Sequence, residues 1–207
     1  MTENSDTLVL WILLPLFAAV GLYLLWYSRR KKKILEAFAG AQQLPFSPEL
    51  EAELQATLDR CFPLQDSGLI RSFGQLSSII DAGPVRMFSA VELLDLNPHA
   101  QASSTHFSRI AALFKVPADI DEYFLLERTG QVNTVLPTVK TPAANITELT
   151  RQAAATCRAE HTLSVTLKNG YGLIYLEPLV TGGETLTDIE ALYAIARKMH
   201  KTLSKGE

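Results

Sequence analysis

No charged residue occurs between Thr7 and Ser28, and the stretch from Leu8 to Tyr27 is almost wholly apolar. Twenty helical residues at about 1.5 Å each span roughly 30 Å, the thickness of a bilayer's hydrocarbon core. This run therefore predicts a membrane-spanning helix over residues 8–28, preceded by a short extracytoplasmic tail at 1–7. Pro15 and Gly21 would weaken such a helix in water, but in lipid the backbone has no other partner for its hydrogen bonds. Trp11 at one end and Trp26 with Tyr27 at the other suit the two interfacial layers.

A cleaved signal peptide has a basic start, a shorter apolar core and a small-residue cleavage site. This segment instead begins with Glu3 and Asp6, and it ends in Arg29, Arg30, Lys31, Lys32 and Lys33. Positive charge beside a span stays on the cytoplasmic face, where it meets anionic lipid. Residues 29–33 thus read as a stop-transfer cluster, with the N-terminus outside and residues 34–207 forming a domain on the cytoplasmic side of the inner (plasma) membrane. The membrane-anchoring set is Trp11, Trp26, Tyr27 and these five basic residues, and the lipid bilayer is the first expected partner.

The domain itself is acidic. Beyond residue 33 the chain has 14 Lys and Arg against 20 Asp and Glu, a net charge of −6. That balance offers no electrostatic footprint for nucleic acid, which is not expected as a partner. Two cysteines, Cys61 and Cys157, are too few for a disulfide scaffold and read as buried thiols on helix faces.

Good helix formers continue from Ile34 to Gln43, so the first helix extends past the basic cluster until Pro45 ends it. Ser47 before Pro48 reads as a helix cap, followed by a stripe of Leu50, Leu54, Leu58 and Cys61 that stops at Pro63. Ile79-Ile80, a turn at Asp81 to Pro84, and Val85 to Val91 predict two antiparallel strands, with further strands in His106–Val116 and Tyr123–Glu127. Arg128 to Pro142 reads as an extended loop.

Asn145 with Glu148 has the form of a capped helix start, and Ile146, Leu149, Ala153 and Cys157 share the face behind it. Asn169-Gly170 is a preferred two-residue hairpin centre, which sets Val165 opposite Ile174, Leu163 opposite Leu176 and Ser164 opposite Tyr175. A last helix is expected from Thr187, capped with Glu190, to Leu203. Its buried face is Leu186, Ile189, Leu192, Ala196, Met199 and Leu203, and Arg197, Lys198, His200 and Lys201 sit near its C-terminal end. The expected fold class is α+β: one N-terminal transmembrane helix, then one antiparallel-sheet domain covered by amphipathic helices.

Chemistry-bearing patterns are sparse. Ser103, Ser104, Thr105 and His106, with Asp95 upstream, hold catalytic residue types, but sequence adjacency does not supply the geometry of a nucleophile and its base. They read as a polar loop entering a strand. His99, His106, His161 and His200 lack the spacing that puts two ligands on one helix face. Asp119, Asp121 and Glu122 lack the glycine and terminal glutamate of a calcium loop. Neither Gly182-Gly183 nor Gly170 with Gly172 joins a strand to a helix as a phosphate loop does. No catalytic residue, metal site or cofactor is expected.

The function expected on these grounds is non-enzymatic: a membrane-tethered interaction module, an accessory or scaffold subunit that meets another membrane-associated protein. Its candidate contact surfaces are an open hairpin edge at Leu163–Leu176 and the strand end at Phe88–Leu94. The alternative is a membrane-anchored sensor for a lipid or small apolar ligand, with a pocket lined by Phe107, Phe114, Tyr123 and Phe124.

Overall fold

The computed structural model describes the chain except residues 1–2, 50, 62–63, 67–68, 96–103, 119, 121–122, 129–130, 134–143, 157–160, 179–183 and 205–207. Helix α1 (Glu3–Gln42) is one unbroken helix of 40 residues that passes through Pro15. It ends as the sequence suggests: Gln43 takes the left-handed conformation, its N–H and that of Leu44 donate to the carbonyls of Gly40 and Ala39, and Pro45 follows. Among the described residues no helix is long and apolar enough to cross a membrane, and much of the 8–27 run has side chains outside that set.

The remaining elements are β1 (Phe46–Ser47), α2 (Ala52–Cys61), β2 (Leu64–Asp66), β3 (Leu69–Ala82), β4 (Val85–Asp95), β5 (Ser104–Lys115), β6 (Tyr123–Arg128), β7 (Gln131–Asn133), α3 (Ala144–Ala154), β8 (His161–Lys168), β9 (Tyr171–Pro178) and α4 (Leu186–Leu203). The strands form one sheet in the order β1-β3-β4-β5-β9-β8-β6-β7, with β2 also on β3, and every pairing is antiparallel. The α+β class is thus observed.

Each face of the sheet has its own core. On one, Leu35, Phe38 and Ala39 of α1, Leu149 and Ala153 of α3, and Ile189, Leu192 and Met199 of α4 close over strand residues such as Met87, Ile110, Val165 and Ile174. On the other, Leu54 and Leu58 of α2 pack on Phe73, Leu76, Ile79, Phe88, Leu113 and Tyr175. Strand residues normally change face at every step, yet Phe73, Leu76 and Ile79 share one face at intervals of three. The register of β3 against β4 shifts between Gly74 and Ser77 and again between Ser77 and Ile80, where Ser78 has φ 55°. These bulges re-phase the strand so that α2 finds a continuous apolar floor.

The Asn169-Gly170 hairpin forms in the expected register, with Val165 on Ile174, Leu163 on Leu176 and Ser164 on Tyr175. Both turn residues have positive φ, the geometry that selects Asn-Gly. The Asn169 amide also donates to the Arg60 carbonyl at the end of α2, fastening the turn to that helix. Neither strand of the hairpin is free, however: β8 pairs with β6 and β9 with β5. The Leu163–Leu176 edge expected as a docking strand is interior to the sheet, and Phe88–Leu94 lies between β3 and β5. Sequence shows that a strand exists but not how many neighbours it has.

Helix starts also move. Ser47 pairs in β1 with Ile79 instead of capping α2, which begins at Ala52. Asn145 stands inside α3, and Glu148 accepts from Arg151 and Gln152 in place of closing a cap. Those bonds hold its exposed carboxylate below its ordinary range. In α4 the cap is Thr185, whose box partner is Asp188, not Thr187 with Glu190. Leu186 is consequently the first helical residue and remains exposed, while Ile195 joins the buried face.

Gly172 on β9 faces the buried ring of Phe114, and a Cβ there would lie 2.5 Å from two ring carbons and 3.0 Å from a Leu167 methyl. The ring is enclosed by the core and has nowhere to move. Gly172→Ala is therefore expected to destabilise the domain by about 1–3 kcal/mol through overpacking, read as a lower urea midpoint with an unchanged slope.

Candidate functional site

The residues that set α1 apart divide between its two sides. Trp26, Arg29, Lys33 and Ala37 follow one another at intervals of three and four on an exposed side, while Lys31, Leu35 and Phe38 face the domain. Of the five basic residues, Lys31 is thus withdrawn from solvent, with its side chain only 3% exposed. Its Nζ donates to the Ser108 carbonyl of β5 at 2.6 Å and to Glu184 Oε1 at 3.1 Å. Glu184, 2% exposed, immediately precedes the cap of α4. One ammonium therefore joins α1, the sheet and α4. A stop-transfer cluster requires only solvated charge, so this buried pair is a separate use of the same letters.

Burial drives the Lys31 ammonium below its ordinary value of 10.5, and the Glu184 carboxylate beside it opposes that shift. Glu184 Oε2 has no hydrogen-bond partner among the described residues. Further along the joint, the Phe38 ring meets Tyr193 of α4 edge-on at 5.4 Å.

On the exposed side, α1 and α4 leave a groove of about 450 Å³ between them. Helix α1 supplies Trp26, Arg29, Arg30, Lys33 and Ala37, and α4 supplies Leu186; half-buried Ile34 completes the wall. The Arg30 guanidinium lies over the Trp26 ring at 5.4 Å. Among the described residues the lining carries three cations and no acid. A second concavity, at Pro84, Arg197, Lys198, His200 and Lys201, lies by the opposite end of α4. There His200 Nδ1 is 2.8 Å from the Lys115 carbonyl, so that nitrogen carries the proton.

A second buried charged group sits on the sheet face that packs against α2. Arg109 Nε donates to Glu92 Oε2 at 2.9 Å, and the Tyr175 hydroxyl donates to Glu92 Oε1 at 2.8 Å. Glu92 is wholly buried, and its contacts tie β4, β5 and β9 together. The hydroxyls of Ser164 and Thr166 are also buried on β8 and have no hydrogen-bond partner among the described residues.

The residue types singled out for catalysis do not assemble into a described site. Register sets Asp95 opposite Ser104 and Leu93 opposite His106, with the side chains of Asp95, Ser104, Thr105 and His106 outside the described residues, as is Ser103. Asp119, Asp121, Glu122 and His99 also lie outside them, as do the side chains of Cys61, Cys157 and His161. Among the described residues no group of three His, Cys, Asp or Glu is placed to hold a metal. Of the proposed ligand-pocket residues, Phe114 fills the core beneath Gly172, and Phe107 stands at a position of opposite parity on the same strand. The side chains of Phe107, Tyr123 and Phe124 lie outside the described residues.

Glu184, Glu92 and Arg109 carry the described polar geometry together with Lys31 and Tyr175, and sequence reasoning passed over those three; it read Tyr175 only as the hairpin partner of Ser164, and Leu186 as a buried helix residue. Lys31 and Glu184 are 153 positions apart, and no local pattern links them. The chain matches no family model, no curated protein and no solved structure.

Removing one member of the buried pair leaves the other uncompensated, so Lys31→Ala is expected to cost about 3–5 kcal/mol, whereas replacing both by apolar residues, Lys31→Met with Glu184→Leu, should be near neutral or stabilising. Urea unfolding of the full chain in detergent distinguishes the two outcomes. The pH dependence has a definite sign. With the folded value of Lys31 below the unfolded 10.5, the unfolded state binds more protons between the two. Stability of the native chain relative to Lys31→Met should therefore rise with pH across that window and be level below it.

Proposed function

We propose that this chain is a non-enzymatic, membrane-tethered interaction module, held on the cytoplasmic face of the inner membrane by residues 8–28 with its N-terminus outside. One observation carries the reading. The large apolar side chains that stay exposed among the described residues are Trp11, Leu14, Phe17, Leu22, Tyr23 and Trp26, all on α1, and Leu186 beside them. A water-soluble surface rarely leaves so much apolar area in one place, whereas a lipid-facing helix requires it.

The reading is supported by how α1 enters the domain. The same helix that bears the exposed apolar residues buries Lys31, Leu35, Phe38 and Ala39 within about four turns of Trp26. A tether of this kind has no flexible linker, so it fixes the orientation of the domain as well as its distance from the bilayer. Confining a rigid module to a surface raises its effective concentration toward other membrane-associated proteins, which makes even weak contacts productive. The acidic balance beyond residue 33 argues against nucleic acid as the partner.

Sodium carbonate extraction of membranes should leave the full chain in the pellet. An export-dependent phosphatase fused after Glu207 should be silent while a fluorescent protein at the same site is bright. Release by carbonate, or an active phosphatase, would overturn the topology. A tagged pull-down of the full chain in mild detergent then tests the partner. A stoichiometric protein supports the interaction module, and an enriched lipid with no protein favours the sensor.

A further inference from the structure

We infer that the concavity beside the C-terminal half of α4 binds an acidic peptide segment of the partner protein. This rests on the interaction-module reading and names the chemistry of its partner. Arg197, Lys198 and Lys201 lie three, four and seven residues beyond Ala194, so the four share one exposed stripe of α4. Against Pro84, in the turn between β3 and β4, this stripe encloses about 530 Å³. Among the described residues the lining holds three cations and His200, and no acid.

The charge exceeds what the helix itself calls for. A helix dipole favours cations in the last turn, and here that turn holds His200 and Lys201. Arg197 and Lys198 stand a turn earlier, where that attraction has faded. Lys198 donates to the Gln152 amide oxygen at 3.2 Å, and the Arg197 guanidinium lies 5.6 Å from the centre of the Tyr193 ring. Neither contact neutralises a charge, and among the described residues Arg197, Lys198 and Lys201 form no ion pair. The nearest described acid on the stripe, Glu190, is seven residues before Arg197, about 10 Å along the axis. On a domain whose net charge is −6, the local sign is thus reversed. The contact of His200 with the Lys115 carbonyl holds this end of α4 on the sheet, so the wall is ordered before any ligand arrives.

Position decides the source of the ligand. Helices α1 and α4 run in the same direction: Lys31 meets Glu184, and seven residues on, Phe38 meets Tyr193. Arg197 to Lys201 continue beyond Tyr193, more than about 20 Å along the helices from Tyr27, the last residue of the apolar run. The interfacial layer of a bilayer is about 5–8 Å thick and charge is screened over about 8 Å, so lipid phosphates do not reach the patch. Alternate side chains of an extended peptide are about 6.7 Å apart, close to the about 6 Å of axis between Arg197 and Lys201. Acids at every second position therefore meet both cations. A nucleic acid would carry its charge past the patch onto acidic surface, whereas a short acidic segment ends within it.

The test uses the full chain in phosphatidylcholine nanodiscs and a short peptide of alternating glutamate and serine, acetylated and amidated at its ends. A carbodiimide joins carboxylates to amines in contact, and the peptide has no amine, so mass spectrometry of the conjugates locates it by lysine. Ala194→Phe fills the concavity from an exposed position without changing any charge. It is expected to lower coupling at Lys198 and Lys201 at least about fivefold and to leave Lys32 and Lys33 unchanged. Arg197→Gln should lower coupling at Lys201 at least about threefold. Exchange of phosphatidylcholine for phosphatidylglycerol should spare Lys198 and Lys201.

Coupling at Lys198 and Lys201 that survives Ala194→Phe would overturn the inference, since a charged surface without a site is indifferent to its shape. Loss of that coupling in phosphatidylglycerol would assign the patch to lipid and overturn the peptide. So would displacement by oligothymidylate, or by inorganic phosphate at constant ionic strength, at a lower concentration of charge than an isotope-labelled copy of the peptide requires. Co-elution of the chain with the nanodiscs separates the two levels. A chain that co-elutes but is unaffected by Ala194→Phe keeps the tether and rejects the peptide site. A chain that elutes apart from the discs rejects the tether, and with it the inference that rests on it.

Discussion

The Lys31 ammonium is the point on which the arrangement of α1 depends. A buried cation is unfavourable unless its charge and its donors are matched, and here one carboxylate and one strand carbonyl, from two different elements, match it. Neither partner can be reached if α1 rotates by a residue or slides by a turn. The apolar contacts of Leu35 and Phe38 supply adhesion, but apolar contact alone tolerates slippage. The ion pair supplies the address. It therefore determines which side of α1 is left to form the groove.

The sheet uses polar groups in a comparable way. Glu92, held by Arg109 and Tyr175, connects three strands on the face that packs against α2. Breaking register by one residue would send the carboxylate to the opposite face, without partners. The bulges of β3 add a second constraint, since they bring Phe73, Leu76 and Ile79 to α2 at a spacing closer to that of a helix than of a strand. A single helix of ten residues can then cover this part of the face.

What was legible in the sequence was what short-range chemistry decides. Asn169-Gly170 fixes a turn geometry, and that turn fixes the register of everything within the hairpin, so three cross-strand residue pairs could be named without coordinates. The strands at β4, β5 and β6 and the continuation of α1 to Gln42 followed from pattern and propensity in the same way. The helix starts were less legible because Thr185 with Asp188 and Thr187 with Glu190 offer the same spacing two residues apart. The choice between them depends on where the preceding loop and the core place the first turn. Leu186, read as buried, is exposed for the same reason.

By itself the sequence determined the four helices, the longer strands, the α+β class and an uncharged run long enough to span a bilayer, because periodicity, turn chemistry and hydropathy act over a few residues at a time; it missed the short strands β1, β2 and β7. Tertiary structure alone decided that the Leu163–Leu176 hairpin is interior, that Phe114 is core instead of pocket lining, and that Lys31 points inward while Arg29, Arg30 and Lys33 line a groove. Each of these is a relation between residues far apart in the chain. Strand neighbours are set by which apolar faces must be covered, and the fate of a lysine is set by whether a carboxylate 153 positions away arrives beside it.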